Sequence, residues 1–355
     1  MFSPKRPAKR LPQVKLGKVE VPRLFFGLWQ LSSSAWGAAS QEQCEDALSQ
    51  LLSHGFTAAD MADHYADAEL LFGRFRSRLS FPAQREPTVV ATKYCQFAPI
   101  PADQVIDRDW ALERVLERSR RIGGTVDLLQ VHWQHLDDER YLDVFAYLVD
   151  IAATRPELVT AIGLCNFDAD TTAKICEHLL AVRGEVGIVS NQIQYSLVDQ
   201  RPRFAMAKVC EKYGIKLLTY GTFCGGFLSS KWVGKPEPSI YAGDLNTSQR
   251  KYYDMIRAWG GWDLFQSLLR VLQTIGDKYH VDVSNIAARW ILDRPETGVV
   301  IIGSRLGVSE HVESSLKTFD FELIDEDRAE IENVLDKSRA KDMFEQIGDC
   351  GLEYR

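Results

Sequence analysis

The stretch FTAADMADHYADAELLFG, residues 56–73, runs from a short apolar segment into one whose apolar side chains fall at helical spacing. Where the first hands over to the second, Asp60, Asp63, His64 and Tyr65 crowd into six positions. A short buried strand followed by an amphipathic helix is one βα unit. The fold turns on whether that unit stands alone or is one beat of a longer rhythm.

The rhythm is long. Outward from this stretch, similar apolar or β-branched runs recur as LFFGLWQ (24–30), TVVATKY (88–94), VDLLQVHW (126–133), TAIGLCNF (160–167), GIVSNQIQYS (187–196), KLLTYGTF (216–223) and GVVIIGS (298–304), making eight with FTAADM (56–61). Between most of them lie segments of helical spacing such as CEDALSQLLSHG (44–55), WALERVLERSRRIGG (110–124) and FAMAKVCEKYG (204–214), which close on glycine as helix ends prefer. Eight strands alternating with helices predict a parallel sheet. An unbroken count of eight favours closure into an α/β (β/α)8 TIM barrel over an open doubly wound sheet. The apolar runs suit strands covered on both faces by helices.

Two segments depart from the beat. KLGKVEVPRL (15–24) alternates around Gly17 and predicts an N-terminal β-hairpin. Between strands 7 and 8 lies a long loop and helical insertion containing KWVGKPEPSIYAGD (231–244) and the helical stretches YYDMIRAWG and WDLFQSLLRVLQTIGDKYH; long barrel loops commonly serve the site. The division expected is a flexible basic N-terminal arm over 1–14, a single barrel catalytic domain over 15–340, and a tail over 341–355 that either folds back near the site or frays.

A composition of 45 % hydrophobic and 26 % charged residues excludes a chain disordered throughout. The net charge of −7 argues against a dedicated nucleic-acid surface, which needs clustered cations. The six cations within 5–18 read as a solvated arm or a targeting signal, with prolines and missing periodicity favouring the arm. Seven cysteines without a C-x-x-C pair suggest neither a disulfide framework nor a zinc ribbon, so no metal and a reduced, cytoplasmic setting are expected. With no apolar leader and no run near the roughly 18 residues of a membrane span, neither secretion nor a membrane partner is expected.

In a barrel, side chains at the C-terminal strand ends share one mouth. Strand two delivers Asp60, with Tyr65 just beyond; strand three ends at Lys93 and strand four at His132. Singly, each has a plainer reading: a helix cap, ordinary packing, a solvated strand end, a core histidine. Jointly they form a titratable cluster of the kind that general acid–base chemistry uses.

D-x-A-D-x-Y at 60–65, A-T-K at 91–93 and L-Q-V-H at 129–132, followed by G-L-C-N-F, N-Q-I-Q-Y and a glycine-rich turn, resemble the aldo-keto reductase superfamily in order and placement over nearly the whole chain. The resemblance implies a catalytic tetrad of Asp60, Tyr65, Lys93 and His132. The roles also follow from chemistry. A phenol titrates near pH 10, about three units too high for easy exchange at neutral pH, and an adjacent ammonium favours its phenolate. Lys93 supplies that charge, Asp60 keeps it charged and oriented, and His132 steadies a carbonyl oxygen as negative charge grows. Asp63 and His64 are assigned only a loop hydrogen bond.

The same resemblance places the amides of Asn166 and Gln192 at a nicotinamide carboxamide. Cys165 stands where relatives usually carry serine and is a poorer donor. Tyr220 resembles the aromatic residue that stacks on the nicotinamide. In GTFCGGFLS (221–229), Gly221, Thr222, Gly225 and Gly226 form a loop whose backbone a dinucleotide can approach, and Ser304 with Arg305 would grip the extra phosphate of NADP. NADP(H) is therefore the expected cofactor, with NAD possible, because His311 and Ser315 replace the arginine and asparagine usual in SEHVESSL (309–316). Trp29, Trp133 and Trp232 are candidate walls of a substrate pocket.

The function implied is NADP-dependent oxidoreduction: reduction of an aldehyde or ketone, or oxidation of the alcohol, with a small-molecule carbonyl or alcohol as partner and a monomer or weak homo-oligomer as the state. A second reading is a dinucleotide-binding, redox-sensing barrel subunit with little turnover. A third, an aldolase or isomerase barrel with Lys93 as Schiff-base amine, requires substrate trapping on Lys93 and no nicotinamide.

Overall fold

All eight runs become parallel strands, each hydrogen-bonded to the next in chain order and the last to the first, closing into a barrel. The computed structural model describes residues 10–32, 39–79, 88–239, 245–308 and 311–355. Most of the basic arm, together with 240–244 and 309–310 from two quoted segments, lies outside the described residues. Strands β1 (Gln13–Leu16) and β2 (Val19–Pro22) pair antiparallel as the expected hairpin, with Gly17 at φ +58° in its turn. Then follow β3 (Leu24–Gly27), α1 (Gln41–Ser53), β4 (Ala58–Asp60), α2 (Ala68–Arg78), β5 (Val89–Gln96), α3 (Arg108–Ile122), β6 (Val126–Trp133) and α4 (Arg140–Thr154). The alternation continues through β7 (Val159–Cys165), α5 (Ala169–Arg183), β8 (Ile188–Gln194), α6 (Met206–Tyr213) and β9 (Lys216–Tyr220). The insertion holds α7 (Thr247–Trp259), α8 (Trp262–Tyr279) and α9 (Val283–Leu292); the chain closes with β10 (Thr297–Gly303), α10 (Val312–Leu316), α11 (Asp325–Leu335) and α12 (Ala340–Ile347).

Contacts divide the chain into two compact units, Met1–Gly163 with Ile302–Glu313, and Leu164–Ile301 with Ser314–Arg355. In the first, β4 lies between β3 and β5 in the registers Phe26↔Ala59 and Ala58↔Val89. Helix α2 is held to β5 from outside: the fully buried Glu69 accepts from Thr92 Oγ1 at 2.6 Å and pairs with Arg121 of α3, also at 2.6 Å. Gly73 lets α2 and α3 approach so closely that a Cβ there would stand 2.3 Å from Arg121 O. Because successive strand side chains point to opposite faces, Thr92 toward α2 sends Lys93 to the barrel interior.

In the second unit, α8 turns Phe265, Leu268, Leu269, Leu272 and Ile275 inward, the spacing of one helical stripe. Phe265 and Trp262 join Phe227 in an aromatic cluster with centroids 5.5–6.4 Å apart. Asn246 begins α7 with a capping box, its side chain accepting from Gln249 N while Gln249 returns the bond to its backbone. Glycines end α3, α5 and α6 in the left-handed conformation at Gly123, Gly184 and Gly214. No helix among the described residues is long and apolar enough to cross a membrane.

Candidate active site

In the first unit, β4 ends at Asp60, β5 carries Lys93, and the register Lys93↔Gln130 sets β6 alongside. Lys93 is 1 % exposed, and an ammonium that deeply buried needs acceptors for all three protons. It has three: Asp60 Oδ2 at 2.7 Å, Met61 O at 2.9 Å and the Tyr65 hydroxyl at 3.4 Å. Asp60 is buried too, and its second oxygen accepts from Gln130 Nε2 at 3.0 Å. Gln130 lies in the L-Q-V-H stretch but is not among the residues expected at the site; its signal is an amide between the buried apolar Leu129 and Val131.

Tyr65 belongs to the loop between β4 and α2. That loop is fastened by Asp63, whose Oδ2 accepts from Cys95 N at 3.0 Å and from Arg118 Nη1 at 3.1 Å. Burial pushes the Asp63 carboxyl up, but bonds from His64 and Cys95 and the Arg118 charge outweigh it and hold it below the usual aspartate value. The ligand-bearing atoms of Asp63, His64 and Cys95 lie within 4.8 Å of one another, and with Phe97 and Arg118 these residues line a groove of about 1010 Å³. The His64 ring meets Tyr65 edge-on at 4.6 Å and Phe97 at 5.1 Å, and Phe97 meets His132 at 5.1 Å. Tyr65 and His132 are thus the two ends of one aromatic file.

The tryptophans separate. Trp29 follows β3 and is 45 % exposed. Trp133 neighbours His132 in sequence, but on a strand neighbours face oppositely: it is fully buried against Trp110 of α3 and Tyr141 of α4 and donates to His135 O. The expectation of Trp133 as a pocket wall is corrected accordingly; it is a packing residue. Trp232 meets Phe227 at 4.8 Å with the rings tilted by 42°, within the aromatic cluster of the second unit.

The residues expected at a nicotinamide come together in that second unit. Asn166 follows β7 at φ +58°, its N–H donating to Gln192 O at 2.9 Å, and Tyr220, the last residue of β9, donates its hydroxyl to Asn166 Oδ1 at 2.9 Å. Cys165 and Gln192 are buried beside them in the chain order of β7 and β8. Of the three loop glycines, two answer to packing: a Cβ on Gly221 would meet Tyr252 Oη at 2.4 Å, and one on Gly225 the Tyr252 ring at 2.9 Å. Gly226, at φ +91°, faces open space, the property expected of backbone left clear for a ligand. The Thr222 hydroxyl donates to Tyr195 O at 3.2 Å, a structural bond.

In the first unit, Ser304 is 1 % exposed with its N–H on Gly27 O, and its buried Oγ has no hydrogen-bond partner among the described residues. A buried hydroxyl of that kind calls for an absent acceptor or donor, and Arg305 stands next to it, half-buried. Taken unit by unit, the second offers the amides of Asn166 and Gln192 and the open backbone at Gly226, and the first a buried hydroxyl beside a guanidinium at 304–305. Four buried thiols are poor candidates for chemistry, since burial pushes Cys176, Cys210 and Cys224 up to about 12 and Cys350 well above its ordinary value.

The class these features define is a closed parallel α/β barrel with a lysine–aspartate pair buried beside a tyrosine at its strand ends. The model of the Aldo/keto reductase family matches residues 23–336, and the chain belongs to that family. Over nearly full length it is similar to the chloroplastic pyridoxal reductase of Arabidopsis thaliana, 24 % identical with 94 % of this chain and 88 % of the relative covered. It is likewise similar to the aldo-keto reductase YhdN of Bacillus subtilis, 23 % identical with 90 % and 92 % covered. A shorter likeness, 32 % identical over 41 % of this chain, is to flagellar radial spoke protein 5 of Chlamydomonas reinhardtii, of which the match spans only 26 %.

Proposed function

We propose that the protein is an NADP(H)-dependent reductase of aldehydes or ketones, able to run in reverse on the alcohol, with Tyr65 as the residue that gives or takes the proton. The observation that carries this reading is the Lys93 ammonium, buried, paired with Asp60 and 3.4 Å from the Tyr65 hydroxyl. A phenol that surrenders its proton leaves an anion, and a fixed cation at that distance stabilises it without reorganisation. Asp60, locked by Gln130, keeps the ammonium aimed. His132 donates to the carbonyl oxygen and holds it in line with Tyr65.

The reduced nicotinamide, when bound, supplies a hydride to the carbonyl carbon. Asn166 and Gln192 would hold its carboxamide, Tyr220 would lie against its ring, the backbone at Gly226 would take the pyrophosphate, and Ser304 with Arg305 would bind the extra phosphate. The name of one extensively covered relative, a pyridoxal reductase, supports carbonyl reduction as the direction. A cytoplasmic, monomeric or weakly self-associating enzyme completes the proposal. One observation favours a second reading, a dinucleotide-binding subunit with little turnover: the partial likeness to a flagellar radial spoke protein.

The test is a titration with NADPH and NADH by nucleotide fluorescence, followed by loss of reduced-nicotinamide absorbance across aldehydes, ketones and quinones. Tighter binding of NADPH and its oxidation by at least one carbonyl are expected. Tight binding with no turnover across the panel would favour the subunit reading, and failure to bind either dinucleotide would contradict both.

A further inference from the structure

The segment Asp349–Arg355 is fastened onto the residues expected at the nicotinamide. Asp349 Oδ2 accepts from Ala169 N, the first residue of α5, at 2.7 Å. Glu353 takes two bonds from Arg201, at 2.9 and 2.8 Å, and Arg201 is 2 % exposed and gripped from its other side by Asp199. Gly351, at φ +92°, lies where a Cβ would stand 2.2 Å from Asn166 O, and Arg355 Nη2 donates to that same oxygen at 2.8 Å. These ties place Tyr354, whose hydroxyl is 2.9 Å from that of Tyr220 and accepts from Lys251 Nζ of α7 at 3.2 Å.

The four groups form a chain whose direction is set at one end. An ammonium only donates, so the Tyr354 oxygen accepts from Lys251 and has its own proton to give to Tyr220. Tyr220 then gives its proton to Asn166 Oδ1. Burial holds the Tyr220 phenol well above its ordinary value, so it stays protonated and a donor. Hydrogen bonds aligned in one direction reinforce one another. With Oδ1 occupied, the Asn166 amide presents its Nδ2 protons elsewhere; without the chain, that amide can turn over and offer an acceptor instead.

We propose that Lys251 and Tyr354 are positioning residues for the coenzyme, fixing the Asn166 amide through Tyr220 so that its N–H donors meet the carbonyl oxygen of the nicotinamide carboxamide. The proposal rests on the coenzyme reading above. Neither residue needs to touch the coenzyme.

The test compares NADPH with 2′-phospho-ADP-ribose, the same molecule without nicotinamide, by calorimetric titration of the full chain, Tyr354→Phe and Lys251→Met. Tyr354→Phe is expected to weaken NADPH about three- to tenfold, the effect of losing one hydrogen bond, while the ribose fragment binds as before. Lys251→Met, at an exposed position where folding is not at stake, is expected to move NADPH in the same direction. Unchanged NADPH affinity in both variants would overturn the proposal, as would equal loss for the fragment, which would mean the segment only supports the fold. A wild-type chain that binds neither molecule would overturn the coenzyme reading itself, an outcome distinct from variants that merely match a binding-competent wild type.

Discussion

Lys93 has its three protons on Asp60, Met61 and Tyr65, and this arrangement leaves little latitude for change. Replacing Asp60 by Asn removes the carboxylate 2.7 Å from that ammonium while keeping the shape. A buried charge so uncovered costs about 3–5 kcal/mol, and Asp60→Asn is expected to lose stability of that order in urea unfolding as well as turnover; a loss well under 1 kcal/mol would show that the pair is not needed. At the phosphate end, Arg305→Ala is expected to weaken NADPH about tenfold or more, the size of a charge-assisted bond, and NADH hardly at all. Equal losses for the two would remove Arg305 from the reading of the extra phosphate. That Asp60, Tyr65 and Lys93 meet, with His132 joined to Tyr65 through His64 and Phe97, was legible because strand ends in a barrel converge and because their spacing matched a family pattern. Gln130 was hidden because nothing local pairs an amide on one strand with Asp60 seventy residues earlier, and Trp133 was misplaced because proximity in sequence is opposition on a strand. Lys251 and Tyr354 were illegible, since nothing local connects a helix near 250 to a segment a hundred residues later.

Among the elements, strand positions were read almost to the residue for β6, and the glycines at the ends of α3 and α6 marked those helices correctly. The closing segment was open between folding back and fraying, because its short polar run has no periodicity to bury; what fixes it is a long-range ion pair, Glu353 on Arg201. Burial pushes the Glu353 carboxyl up, and the bonds and charge of Arg201 more than reverse this, leaving it below the ordinary glutamate value of 4.5. A group lowered in the folded state contributes stability that is whole above its unfolded value and fades as pH falls through the lowered one. Urea unfolding of the wild type is thus expected to weaken more steeply below pH 4.5 than that of Glu353→Gln; parallel pH profiles would contradict it. The β9–α7 contact offers a second check. Gly221 has φ +69° and would put a Cβ 2.4 Å from Tyr252 Oη, so Gly221→Ala combines backbone strain with a clash. A loss of at least about 1 kcal/mol is expected, measured by thermal unfolding, and a neutral effect would show the loop to be pliant.

For the whole molecule, eight apolar runs gave the closed barrel because both faces of each strand are covered, which writes the strands into the sequence as uninterrupted hydrophobic stretches. Substrate choice was not written that way. Loop side chains such as Trp29, 45 % exposed after β3, have surroundings that no local pattern specifies. Membership of the aldo/keto reductase family rests on a match over residues 23–336, and the buried Lys93–Asp60 pair beside Tyr65 is the observation on which the proposed proton transfer stands. The most direct measurement is therefore steady-state NADPH oxidation by Tyr65→Phe against wild type, with any carbonyl the wild type accepts, alongside NADPH binding to both. Turnover is expected to fall at least about a hundredfold, the range of a lost general acid, with binding intact; turnover equal to wild type would contradict the assignment of Tyr65 as the proton donor.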